Sequence, residues 1–125
     1  MNAERTNNVL IVEDEPDLRL LTRLCLETAG YTVHEAPDGA HALDTLHVRT
    51  DIDILMLDLG LPDMTGWDVL DDLRRSDQLG VLRIIIFSAH VGADAFDRAV
   101  IAGATGFLAK PFTPEELLSI MASAA

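Results

Sequence analysis

The chain of 125 residues holds one cysteine, Cys25, and one lysine, Lys110, and each scarcity excludes something. A single thiol cannot close an internal disulfide, so folding has to rest on a packed core. Basic residues are few altogether: nine Lys and Arg stand against 21 Asp and Glu, a formal charge of −12. A field of that sign repels phosphate backbones and anionic headgroups, which argues against direct nucleic-acid binding by this chain and against a membrane partner. Long apolar runs are missing as well. The stretch RIIIFSA at 83–89 is far too short to span a bilayer and no signal-peptide pattern is present, so a reducing cytoplasm is the expected setting. With no repeat, low-complexity tract or linker, the reading is one domain over 1–125, its polar residues 1–7 a frayed tail.

What is present is a series of five short apolar runs: NVLIVED (8–14), YTVHEA (31–36), DILMLD (53–58), LRIIIFSA (82–89) and GFLAK (106–110). The first, third and fourth are almost continuously apolar, as strands covered on both faces require, whereas YTVHEA mixes in polar residues and reads as an edge strand. Between the runs, apolar residues recur at helical spacing. Pro16 suits a first helical position, Leu18, Leu21, Leu24 and Cys25 are assigned to the packed face, and Gly30 to the stop. Ala42, Leu43 and Leu46 mark a second helix, Val69, Leu70 and Leu73 a third after Gly66, and Phe96, Ala99 and Val100 a fourth ahead of Gly103. The last segment opens with Thr113 as N-cap, Pro114 at the first position and Glu116 three residues after the cap, a capping box. His34, His41 and His47 read as exposed, Trp67 as packing. Five strands alternating with five helices predict a parallel sheet with helices on both faces, which binds ligands beyond the carboxyl ends of its strands.

Those carboxyl ends carry an uneven set of residues. The first strand ends in Glu13 and Asp14, the third in Asp58, the fourth in Ser88 and the fifth in Lys110. Three carboxylates gathered together raise one another's pKa unless a cation neutralises them. Oxygen ligands without His or Cys favour a hard ion, and Mg²⁺ suits because it takes one or two carboxylates and keeps its waters. Lys110 adds a compact positive charge suited to a carboxylate or phosphate oxygen. Taken singly the residues have plainer roles: Asp14 a helix cap, Ser88 a strand-end hydroxyl, Lys110 a solvated charge, Phe107 core.

Together with VLIVEDE, MLDLGLPDMTG, FSA and FLAKPF, these residues closely resemble the receiver domain of two-component response regulators, and the resemblance runs from Val9 to the last helix. It implies a flavodoxin-like, doubly wound sheet of five strands in the order 2-1-3-4-5 with five helices. It implies that Asp58 is the phosphoacceptor, that Asp14, Asp58 and the main-chain carbonyl of Gly60 bind Mg²⁺ with Glu13 assisting, and that Ser88 and Lys110 contact the phosphoryl group. Phe107 takes the aromatic switch position, paired in that role with Ser88. The implied donor is a phosphohistidine on a sensor histidine kinase or histidine phosphotransfer protein. The implied output is a conformational shift offered to an effector at the face of the fourth helix, fifth strand and fifth helix. The resulting description is a phosphoacceptor signalling domain of a phosphorelay rather than a conventional enzyme.

The sequence departs from the commoner family pattern at several positions. Glu13 stands where aspartate is more frequent, Ser88 where threonine is usual, and Phe107 lacks the tyrosine hydroxyl; the resemblance places Gly60 and His90 at positions that in that family modulate phosphoryl lifetime. Two other classes compete with the receiver reading. A phosphatase-like hydrolase with an Asp nucleophile wants an acid two residues on, where this chain has Gly60, and a pseudo-receiver would lack part of the site set.

Overall fold

Alternation along the strands splits the apolar residues between two faces of one sheet, and the helices follow that division. In the computed structural model, which describes residues 7–78, 80, 82–89 and 93–124, the strands are β1 (Asn8–Val12), β2 (Thr32–Ala36), β3 (Ile54–Asp58), β4 (Arg83–Ser88) and β5 (Gly106–Ala109). All pair in parallel, in the order β2-β1-β3-β4-β5. The helices are α1 (Pro16–Thr28), α2 (Gly39–Val48), α3 (Gly66–Arg75), α4 (Ala93–Ile101) and α5 (Pro114–Ala124). Successive strand residues point to opposite faces. Leu10, Leu55, Leu57, Ile84 and Ile86 therefore meet Ala42, Leu46, Val69, Leu73 and Ala99 of α2, α3 and α4, while Val9, Ile11, Met56, Ile85 and Phe87 meet Leu26, Leu117 and Met121 of α1 and α5. β1, β3 and the interior of β4 are buried on both sides, and β2 forms an edge, as their compositions predict.

The helix ends obey local chemistry. Thr113 Oγ1 accepts the Glu116 N–H at 3.1 Å and Glu116 Oε1 in turn accepts the Thr113 N–H at 2.8 Å, the capping box expected. A second one, Thr65 with Asp68, opens α3. Gly30 and Gly103 follow α1 and α4 with φ of 100° and 98°, a conformation that a side chain would strain.

Two helix faces differ from expectation. On α1, Leu21 and Leu24 are 64% and 50% exposed, and Thr22 and Leu26 are buried in their place. The helix carries two apolar stripes, and docking selects the one through Leu18, Thr22, Cys25 and Leu26. Thr22 tolerates burial because its hydroxyl donates to the Leu18 carbonyl at 2.7 Å. On α4, Phe96 and Val100 are more than half exposed; the residue of this helix buried in the core is the small Ala99, with Ala102 packed just beyond the helix end. His34 also departs from its reading: half-buried on β2, it has a buried Nε2 with no hydrogen-bond partner among the described residues, and burial, helped by the Arg49 charge, pushes its pKa down. Of the N-terminal tail, Asn7 is held, its carbonyl accepting the Thr32 N–H at 3.1 Å, and residues 1–6 lie outside the described residues, as does His90. Among the described residues no helix is long and apolar enough to cross a membrane.

Candidate functional site at the strand ends

Because every strand runs the same way, the residues that end them share one edge. The order reverses between β1 and β3, the crevice where such sheets hold ligands. Glu13 follows β1 and extends its ladder by one bond, its N–H donating to the Ala36 carbonyl at 3.1 Å. It is 1% exposed, Asp58 at the end of β3 is 5% exposed, and Asp14 lies open to solvent. One carboxylate oxygen from each of the three falls within 4.8 Å of the others.

Lys110 closes the cluster. Its Nζ donates to Glu13 Oε1 at 2.7 Å and to Asp58 Oδ2 at 3.0 Å and sits 5.0 Å from the Phe87 ring centroid. Its backbone N–H donates to the Ser88 carbonyl at 2.8 Å, which ties the residue to the end of β4, and the Lys110–Pro111 peptide is cis. Burial alone would lower the Lys110 pKa, but the bonds to Glu13 and Asp58 outweigh it and the value is raised. For Glu13, burial pushes the carboxyl up; the bonds it accepts from Lys110 and from the Glu15 N–H do not fully reverse this, and the Asp58 charge adds to it. One ammonium against three carboxylates leaves the cluster net negative, so the donor set fits a hard divalent ion whose charge would complete the balance.

The loop after β3 is built around Asp58. Gly60 donates its N–H to Asp58 Oδ1 at 3.1 Å and bridges to Thr65, which brings Gly60 beside the cluster. Gly66 starts α3 where a Cβ would stand 2.7 Å from the Asp58 carbonyl oxygen, so the close approach there requires glycine. Asp63 accepts the Gly39 and Ala40 N–H groups, each at 2.9 Å, and ties the loop to the start of α2; these bonds, the Gly39 one foremost, hold its carboxyl below the usual range.

Ser88 is buried at the end of β4. Ile86 pairs with Phe107 and Ser88 with Ala109, so Ile86, Ser88 and Phe107 share one face of the sheet. Phe107 is half-buried and meets Phe96 edge-on, the ring centroids 6.2 Å apart. The structure thus brings Glu13, Asp14, Asp58 and Lys110 into one cluster, sets Gly60 and Ser88 at its rim, and leaves Phe107 further along β5. Sequence reasoning missed Asp63, Gly66 and Arg19. Gly66 did stand out as a helix start, but nothing local signals that Arg19 donates to the Glu13 carbonyl at 2.8 Å.

Residues 9–122 match the family described as the response regulator receiver domain. The alginate biosynthesis transcriptional regulatory protein AlgB of Pseudomonas syringae pv. tomato is 39% identical over 115 residues, 92% of this chain and 25% of that protein. The chain therefore spans about a quarter of the length of that curated relative. The solved chemotaxis response regulator CheY4 of Vibrio cholerae is 30% identical with a TM-score of 0.86, covering 94% of this chain and 98% of its own. The response regulator protein TrrA of Thermotoga maritima, solved in complex with Mg²⁺-BeF, is 26% identical with a TM-score of 0.81 over 94% and 98% of the two chains.

Proposed function

Since the chain belongs to the response regulator receiver domain family, we propose that Asp58 accepts a phosphoryl group from a phosphohistidine donor in a Mg²⁺-dependent reaction. The observation that carries this reading is the Asp58 carboxylate, 5% exposed at the end of β3, with the Lys110 ammonium 3.0 Å from its Oδ2 and two further carboxylates beside it. A buried strand end gains nothing structural from such a group.

In the proposed step a carboxylate oxygen of Asp58 attacks phosphorus, the O–P bond forms, and the P–N bond to the donor imidazole breaks, the imidazole leaving with the electron pair. Glu13, Asp14, Asp58 and the Gly60 carbonyl would hold Mg²⁺, which when bound supplies charge neutralisation for the phosphoryl oxygens. Lys110 supplies a second positive charge, shared between Glu13 and Asp58 before transfer and free to follow the developing charge onto a phosphoryl oxygen. The Gly60 N–H fixes Oδ1 and so limits rotation of the Asp58 carboxylate. Afterwards the new anion draws the Ser88 hydroxyl inward, and Phe107, on the same face of the sheet, turns into the space released. That rotation alters the α4–β5–α5 face, where exposed Phe96, Val100 and Ile101 would meet an effector. The partners on the input side are a sensor histidine kinase or histidine phosphotransfer protein, and the setting is cytoplasmic.

The test is incubation with Mg²⁺ and acetyl phosphate followed by intact mass. Gain of one phosphoryl group by the wild type, its loss in Asp58→Asn and its loss under EDTA are expected. Incorporation persisting in Asp58→Asn would refute the acceptor assignment, and rapid phosphate release without an accumulated adduct would favour an Asp-nucleophile hydrolase.

A further inference from the structure

Arg19, on the first turn of α1, makes two bonds of different kinds. Its Nη1 donates to the Glu13 carbonyl oxygen at 2.8 Å and its Nε to Glu35 Oε1 at 2.8 Å. Glu35 lies on the neighbouring strand β2, and its other oxygen accepts from Arg23, which also pairs with Glu27. The guanidinium fork is thus braced on one side by a carboxylate fixed to the sheet, and its other prong holds a main-chain atom of the acidic cluster. The Glu13 N–H is itself bound to the Ala36 carbonyl, so both backbone polar atoms of Glu13 are pinned, one to β2 and one to α1.

The peptide unit is planar. Anchoring the Glu13 oxygen therefore restrains the plane whose far end is the Asp14 Cα, and so the point from which the Asp14 side chain starts. This matters because Asp14 is exposed, so packing does not aim its carboxylate. Glu13 and Asp58, by contrast, are buried and bonded to Lys110.

We propose that Arg19 is a positioning residue for the cation site: it holds the Glu13–Asp14 peptide so that the Asp14 carboxylate converges with Glu13 and Asp58. The proposal rests on the divalent-cation reading of that cluster. Charge and geometry make opposite demands here. Removing a positive charge near an acidic pocket strengthens its field and should tighten cation binding, whereas removing a positioning bond should weaken it. A lysine at the same place keeps the charge, but one ammonium does not reproduce the planar two-pronged bridge between the carbonyl and Glu35.

The experiment is calorimetric titration of MgCl₂ into wild type, Arg19→Gln, Arg19→Lys and Arg23→Gln, with a thermal melt of each in EDTA to set a temperature at which all are folded. Both Arg19 variants should bind Mg²⁺ about tenfold more weakly, the usual cost of losing a partner that orients a ligand. Arg23→Gln removes the same charge from the same network without touching the Glu13 carbonyl, and should match the wild type or bind slightly tighter. Wild-type affinity in Arg19→Lys and Arg19→Gln would overturn the proposal, and so would equal weakening in Arg23→Gln, which would assign the effect to the ion-pair network as a whole. A wild type that itself takes up no Mg²⁺ would instead overturn the divalent-cation reading beneath it.

Discussion

Lys110→Met removes the positive charge from the cluster while keeping most of the side-chain volume, and the structure sets the scale of the effect. Surface ion pairs are worth about 0–1 kcal/mol. Here the Lys110 side chain is 17% exposed and the side chains of its partners Glu13 and Asp58 only 2% and 8%, which places the contact among buried pairs, where loss of one partner costs about 3–5 kcal/mol. Glu13 limits the loss. Its carboxyl is already raised by burial, and with the ammonium gone it takes up a proton more readily. The metal-free variant at pH 7 should therefore be less stable by about 3 kcal/mol, the lower end of that range. Acidification should narrow the gap. A carboxyl whose folded pKa lies above its unfolded value stabilises below the unfolded pKa, and that contribution disappears as pH rises through the folded pKa. Mg²⁺ should stabilise both proteins, a hundredfold excess over the dissociation constant adding about 2.7 kcal/mol, and the variant, freed of a competing cation, should bind it as tightly as the wild type or more tightly, so that at a fixed Mg²⁺ concentration the gap does not widen. The assay is urea unfolding of both proteins in EDTA and in saturating Mg²⁺, at pH 7 and pH 5. Equal metal-free stability, or weaker Mg²⁺ binding by the variant, would refute this account of Lys110.

Gly66→Ala should cost about 1–3 kcal/mol by overpacking, because its Cβ would stand 2.7 Å from the Asp58 carbonyl oxygen and 3.0 Å from the Leu59 Cα, while Gly60→Ala meets nothing within 4 Å; equal melting temperatures would refute the contrast. Burial would raise the Glu35 carboxyl, but the bonds from Arg23 and Arg19 outweigh it and the value is lowered. Glu35 therefore contributes stability above its unfolded pKa that is lost as pH falls through the folded one. Glu35→Gln should accordingly flatten the fall in melting temperature between neutral and acid pH, and an unchanged acid slope would count against the network. Leu21→Gln on the exposed side of α1 should leave stability within about 0.5 kcal/mol, whereas Leu26→Ala, fully buried, should lose about 2–5 kcal/mol in chemical denaturation; the reverse ranking would mean that the helix docks by its other stripe.

The elements were legible because each carries a local signal. β1, β3 and β4 read as buried strands from continuous apolar composition, and the Thr113 capping box from the spacing of Thr113, Pro114 and Glu116. The Thr65 box, in which Asp68 plays the part of the usual Glu or Gln, carried a weaker signal and was not read. Helix faces were less legible. α1 offers Leu18, Leu20, Leu21, Leu24 and Leu26 within nine residues, enough for more than one apolar stripe, and periodicity alone cannot rank stripes that differ by one threonine. On α4 the larger Phe96 and Val100 outweigh the alanines on any hydropathy count, although close helix packing favours the small residues.

The sequence by itself determined the class of fold, one edge strand of the sheet and which residues stand at the strand ends, since parallel strands separated by helices must bring those ends to one edge. It also determined that the cluster there is acidic, with a lone lysine among it. The tertiary structure alone decided how those residues meet. The Lys110 ammonium reaches Glu13 across 97 residues and Asp58 across 52, and Arg19 joins the Glu13 carbonyl to a carboxylate on a different strand. Such contacts depend on how each helix is rotated and how far each strand is shifted, and those are settled by packing over the whole core, which no local stretch of sequence encodes.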